Sequence, residues 1–341
     1  MKSAATIRRI VTLFLVGIGL SLAIAACTGG KNADSGTGQK PVEITLASFA
    51  VTKAAHEAII PKFVAKWQQE HGQKVTFKQS YGGSGSQTRA VIDGLAADVV
   101  HLSLAGDTQK IEKAGLVKPG WEKKLPHDSN VSRSIAVLVT RPGNPKGIKD
   151  WTDLAQDGIK VITANPKTSG VARWNFLALW NSAIKVGDES KAQEFVKKVY
   201  GNAPILPKDA REATDIFFKQ GQGDVLINYE NEIILAQQKG QKAEYIAPAV
   251  NISIDNPIAV VDKNVDQHGN RAVAEAFVKY LFTPEAQAEF AKVGFRPADP
   301  AQPTKYPAVK QLSTIQDFGG WSTAQTKFFD DQAIFDQIQA K

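Results

Sequence analysis

The sequence predicts an α/β protein of two lobes, each with a mainly parallel sheet flanked by helices, joined by crossover strands. Three observations point that way. Short apolar strands alternate with segments whose apolar residues recur at helical spacing. A breaker cluster, Arg141-Pro142-Gly143-Asn144-Pro145, separates one strand–helix series from the next. A late apolar strand then returns after the second series has ended.

The chain opens with Lys2, Arg8 and Arg9, an uncharged stretch of 17 residues from Ile10 to Ala26, and Cys27. A basic start, an apolar run and small residues before the cut describe a secretory signal over residues 1–26. Seventeen residues fall short of the roughly 20 that a spanning helix needs. Ile24-Ala25-Ala26-Cys27 resembles a bacterial lipobox, which implies lipidation of Cys27 and a lipid anchor to a membrane; the alternative is an ordinary secretory signal followed by a cysteine. Cys27 is the only cysteine, so it has no internal disulfide partner, and lipidation explains an exported lone thiol. Residues 27–41, rich in Gly, Ser, Asp, Asn and Lys, read as a flexible tether. Losing the three leader cations lowers the formal net charge from +7 to +4, too weak and too evenly spread to argue for nucleic acid. The 315 residues that remain can bury a sizeable core in two domains, and the expectation is a monomer.

Residues 42–48 alternate as a strand, and Ile59, Ile60, Phe63, Val64 and Trp67 recur at helical spacing. Residues 75–79 form a second strand, 87–96 a helix with Val91, Ile92 and Leu95 on one side, and 99–104 a third strand. This βαβαβ order implies a parallel sheet with ligands at the carboxyl ends of its strands. Residues 135–140 are an apolar strand ending at the breaker cluster. The second series has a strand at 160–163, helices at 172–183, 193–200 and 209–219, a strand at 224–228 and a helix at 230–238. A strand at 257–261 returns, followed by helices at 272–281 and 284–293. The first lobe is therefore expected to hold residues 42–134 and 256–341, and the second 135–255, with the C-terminal helices free to pack across. Crossings near residues 132–140 and 256–261 could act as hinges around an enclosed ligand.

The most informative run is Asn165-Pro166-Lys167-Thr168-Ser169-Gly170-Val171-Ala172-Arg173-Trp174-Asn175. It leaves a strand, turns through Pro166 and enters a helix where a hydroxyl and a glycine sit. The first N–H groups of a helix have no internal partner and that end is partly positive, so the geometry suits an oxyanion. Gly82-Gly83-Ser84-Gly85 makes a similar entry. It lacks the Gly-Lys-Thr of a Walker loop, and Thr88 stands where a dinucleotide fingerprint needs its third glycine. A plain N-cap with glycine turns would look the same. Asp209 opens a third helix as a natural N-cap, which also fits an ordinary surface helix.

These runs resemble the prokaryotic sulfate-binding proteins, the receptors that feed ATP-driven sulfate importers. The likeness continues through Gln79-Ser80-Tyr81-Gly82-Gly83-Ser84-Gly85-Ser86-Gln87, Ala97-Asp98-Val99-Val100, Gly223-Asp224-Val225-Leu226-Ile227, Glu230-Asn231-Glu232 and Phe318-Gly319-Gly320-Trp321, and covers nearly the whole chain from Val42. It implies the type II periplasmic binding-protein fold, sulfate as ligand, an ABC permease with its ATPase subunit as partner, and no cofactor. It also implies the site: a donor from Ser84, the Ser169 hydroxyl, backbone N–H groups of Gly170, Val171 and Ala210, and an aromatic donor at Tyr229. Arg173 and Arg211 are expected to brace these groups, although Arg173 could also serve as counter-charge. Three departures stand out. Val171 replaces a glycine that many members have, Tyr229 replaces the tryptophan of better-known receptors, and Ser48-Phe49-Ala50-Val51-Thr52-Lys53 lacks the aspartate and arginine often found there.

Sulfate carries no proton near neutral pH, so a selective site offers donors and no obligatory acceptor. Fixed hydrogen bonds to a charged group, at roughly 1.5–3 kcal/mol each, offset the cost of taking it out of water. Phosphate keeps a proton that a donor-only pocket leaves facing another hydrogen. Tyrosine can accept as well as donate, which weakens discrimination against phosphate and keeps thiosulfate open; the shared fold leaves molybdate as a further rival, and the alternative for Tyr229 is a buried core residue. An enzyme is not expected. Five histidines (56, 71, 101, 127 and 268) show no metal-ligand spacing, and no serine stands in Gly-x-Ser-x-Gly. Glu230 and Glu232 read as capping or solvated charges rather than an acid–base pair. A lipid-anchored ester hydrolase would need a nucleophile with its base, or a metal cluster.

Overall fold

The computed structural model describes residues 39–299, 301–302 and 306–340. The leader, Cys27 and all but the end of the tether lie outside the described residues. The strands are β1 (Val42–Phe49), β2 (Val75–Gly82), β3 (Val99–His101), β4 (Asn130–Ser134), β5 (Ala136–Thr140), β6 (Val161–Ile162), β7 (Val225–Tyr229), β8 (Glu244–Ile246), β9 (Val250–Ile252), β10 (Ile254–Val260) and β11 (Gln311–Ser313). The helices are α1 (Lys53–His71), α2 (Ser84–Ile92), α3 (Ala105–Lys113), α4 (Gly170–Ile184), α5 (Glu189–Gly201), α6 (Ala210–Phe218), α7 (Glu230–Gln238), α8 (Asp262–His268), α9 (Arg271–Tyr280), α10 (Pro284–Lys292), α11 (Gly320–Ala324) and α12 (Ile334–Gln339). None of the described helices is long and apolar enough to cross a membrane.

Two main sheets carry the architecture, in strand orders β2-β1-β3-β10-β4 and β6-β7-β5-β8. Both are mixed rather than mainly parallel. β1 runs parallel to β2 and β3, and β6 parallel to β7, but β10 and β5 are antiparallel to both of their neighbours. The antiparallel strands are those that adjoin the crossings: β5 and β10 enter their sheets from outside rather than through a helical crossover within the same sheet. β5 follows β4 across the single residue Ile135, straight from one sheet into the other.

The first crossing thus lies within residues 132–140. The second does not fall at 256–261, because all of β10 belongs to the first sheet; the chain changes sheets between β8 and β10. Asn251 ties the two crossings together: its side chain accepts from Ala136 N at 3.2 Å and donates to Ala136 O at 2.8 Å. α4 is buried over most of its length, since sheet, α5 and the C-terminal segment all pack on it. Phe328 meets Trp180 edge-on at 4.9 Å, and Trp321 meets Trp174 at 4.6 Å, so the C-terminal segment covers the second sheet's helices.

Candidate functional site

Three helix starts and one strand end converge on a small, tightly closed cavity of about 10 Å³ lying between the two sheets. β2 ends at Gly82, Gly83 turns the chain in extended conformation, and Ser84 begins α2. Ser169 precedes α4 and Gly170 begins it. Asp209 caps α6 by accepting from Glu212 N at 2.9 Å, so Ala210 becomes its first residue. Tyr229 closes β7 and leads into α7. Ser84, Ser169, Gly170, Ala210 and Tyr229 all line the cavity; Val171 does not, and its side chain is buried in the core. The first turns of α2 and α4 contain no acidic residue of their own. No lysine or arginine lines the cavity, and its one carboxylate, Asp209, is committed as a cap. The rest of the lining is three serines, small residues at the helix starts, Val51, and the aromatic rings of Phe49 and Tyr229.

The hydroxyls differ in what they already do. Ser84 Oγ donates to Asp107 Oδ2 at 2.7 Å and accepts from Ser103 N at 3.1 Å. Asp107, fully buried in the first turn of α3, also binds Arg173 Nη1 at 2.5 Å, while Arg173 Nε donates to Pro166 O at 2.9 Å. Arg173 therefore braces the α4 entry from behind and joins it to α3; it does not face the cavity. Ser169 makes no side-chain cap bond to its own helix. Tyr229 OH bonds to Ser103 Oγ at 2.6 Å, and burial pushes the phenol well above its usual range, so it stays protonated.

Close approach of the two sides depends on small residues. A Cβ on Gly83 would lie 2.4 Å from Thr168 O, and one on Gly170 would lie 2.3 Å from Ser103 Oγ. In the segment after β1, Ser48 Oγ bonds to Thr52 Oγ1 at 2.7 Å and donates to His101 O at 2.8 Å, while Phe49 tilts against Tyr229 at 6.0 Å.

Arg211 binds Glu232 at 2.8 Å and ties α6 to α7; burial pushes Glu232 up to about 7 despite that cation. Glu230 forms a two-pronged pair with Arg296 at 2.6 and 2.9 Å. Both glutamates are buried ion-pair partners, not the solvated or capping charges expected, because α7 is buried along its first two turns. Two of the scattered histidines also meet: His56 Nε2 lies 3.1 Å from His101 Nδ1, and burial lowers both. Among the described residues no group of His, Cys, Asp or Glu could hold a metal ion. Sequence reasoning missed Ser103 and Asp107. Ser103 read as the tail of a strand, and Asp107 lay outside every element assigned from the sequence; neither carries a local signal.

The family model for bacterial extracellular solute-binding proteins matches residues 44–296. A sulfate-binding protein from Synechococcus elongatus is 55% identical over 99% of this chain and 98% of its own length. The chain belongs to the sulfate-binding protein family. A thiosulfate-binding protein from Pseudomonas aeruginosa is 40% identical over 85% of this chain and 90% of its own length. Among solved structures, the sulfate-binding protein SubI from Mycobacterium tuberculosis H37Rv superposes with a TM-score of 0.77 at 38% identity, covering 84% of this chain and 99% of that one. Members of the family are extracellular binding proteins, and more distant periplasmic binding proteins share the fold at 17–18% identity.

Proposed function

We propose that this protein is the extracytoplasmic receptor that captures sulfate between its lobes and delivers it to an ABC permease and its ATPase subunit. The observation that carries the reading is the convergence of the α2, α4 and α6 starts on one cavity without a lysine or arginine. Helix N-termini and fixed hydroxyls supply charge-assisted donors to an oxyanion without a mobile counter-ion. In this reading Ser84 contributes its backbone N–H, Ser169 its hydroxyl, and Gly170, Val171 and Ala210 their N–H groups; Tyr229 completes the shell. The lobes turn about Ile135 and residues 247–253, and an ion that touches both lobes favours the closed form. The role is binding and delivery, with no catalytic step.

The leader supports export, and the lone Cys27 after Ala25-Ala26 supports a lipid anchor on the membrane. Cys27→Ser should then release the protein from the membrane fraction, and its retention there would count against the anchor. A second reading, thiosulfate as ligand, is favoured by the hydroxyl of Tyr229 and the thiosulfate-binding relative. Calorimetric titration with sulfate, competed by thiosulfate, molybdate and phosphate, decides between them. Sulfate binding that survives excess of each competitor is the expected outcome. Displacement by one of them at equal concentration would reassign the ligand and keep the transport role.

A further inference from the structure

We infer that Ser103 is a further binding residue, which acts with Tyr229 as one two-hydroxyl donor toward the oxyanion in the cavity. The inference rests on the oxyanion-receptor reading and adds a residue to it. Ser103 follows β3 of the first sheet, whereas Tyr229 ends β7 of the second, so their 2.6 Å hydrogen bond spans the two sides of the cavity that both residues line. The Ser103 main chain is held in place. Its N–H donates to Ser84 Oγ at 3.1 Å, and its carbonyl accepts from Trp174 Nε1 at 2.9 Å and Asn256 Nδ2 at 3.2 Å. The Ser103 side chain is thereby directed at Tyr229 OH and packed against Gly170.

Either hydroxyl can be the donor in the pair. Two hydroxyls hold two protons, and one is used in the mutual bond. Whichever way that bond runs, one proton remains to be donated to an anion. If Tyr229 donates to Ser103, the serine proton is free; if Ser103 donates, the phenol proton is free. The pair therefore delivers one donor with built-in redundancy. Removing one hydroxyl leaves the other to give its proton directly to the ligand, whereas removing both removes the donor.

Redundancy makes a test that independent contacts would fail. Sulfate affinity is measured by calorimetry for the parent, Ser103→Ala, Tyr229→Phe and the double variant, with thermal melting of each in the absence of sulfate. Each single exchange is expected to weaken binding about threefold, and the double about a hundredfold, against a product of about tenfold for independent groups. Melting should follow the opposite order. Ser103→Ala strands a buried phenol without its partner, while the double variant replaces both partners by apolar groups and should melt at or above that single variant. A folded double variant that binds no more weakly than the product of the singles would overturn the inference. A parent that fails to bind sulfate would overturn the receptor reading itself, and the inference with it.

Discussion

Ser84 and Ser169 occupy matching places on the two sides of the cavity, each at a glycine-flanked helix entry, and the sequence makes them look interchangeable. In the structure they are not. The Ser84 hydroxyl is committed to Asp107 and to Ser103 N, so its side is built as a braced wall that offers backbone N–H. The Ser169 hydroxyl makes no cap bond to its own helix, so its side offers a side-chain donor. The same residue type at the same kind of turn thus serves rigidity on one side and, in the proposed function, binding on the other. What decides the role is the buried carboxylate of Asp107, which claims one serine and anchors the arginine behind the second.

The comparison breaks most visibly at Asp107. Asp107→Ala leaves Arg173 buried without its carboxylate and Ser84 without its acceptor. Loss of about 3–5 kcal/mol of stability is expected, read from urea unfolding. A variant with parent-like stability would mean that the wall is not held by this carboxylate.

Acid probes the first side in another way, through His56 and His101, which have no counterpart across the cavity. An unfolded histidine takes up a proton below about pH 6.5, while burial holds His56 at about 3 and His101 well below its usual value. Their contribution is therefore whole above pH 6.5 and is lost as pH falls toward 3, with a slope of about 1.4 kcal/mol per pH unit for each histidine. Glu232, pushed up to about 7, acts in the opposite sense between pH 7 and 4.5, so the decline is shallower there and steepens below. Unfolding midpoints that stay flat from pH 7 to pH 4 would contradict this.

A smaller effect is expected from Gly170→Ala. Its Cβ would stand 2.3 Å from Ser103 Oγ, so the α4 entry must draw back from the first side. Overpacking of this kind typically costs about 1–3 kcal/mol, and here it should appear as weaker ligand binding in calorimetry, with the melting temperature less affected. Equal affinity would show that the two sides need not approach this closely.

How much of this was legible in the sequence depends on the range of the interaction. Helix starts that carry their own signals were readable: Asp209 as a cap, the Ser169-Gly170 entry, and the Gly82-Gly83-Ser84 turn all stand where the residues place them. Strand periodicity gave the two sheets and the crossing within residues 132–140 but not their mixed direction, since the direction of a strand depends on neighbours far away in the sequence. Partners far apart in sequence were not readable. Asp107 and Arg173 are 66 residues apart, and Ser103 and Tyr229 are 126 apart. Glu230 and Glu232 looked solvated because their arginines, Arg296 and Arg211, lie on other helices or loops. A charged residue declares its burial only when its partner is in view.

The most direct test titrates sulfate into the parent, Ser169→Ala and Ser84→Ala by calorimetry, beside urea unfolding of each. Ser169→Ala is expected to lose about 1–3 kcal/mol of binding with little change in stability, through one lost charge-assisted hydrogen bond. Ser84→Ala keeps its backbone donor and should lose mainly stability, about 1–3 kcal/mol, because Asp107 loses a buried partner. The reverse pattern, with affinity lost at Ser84 and retained at Ser169, would contradict the division of labour between the two helix entries.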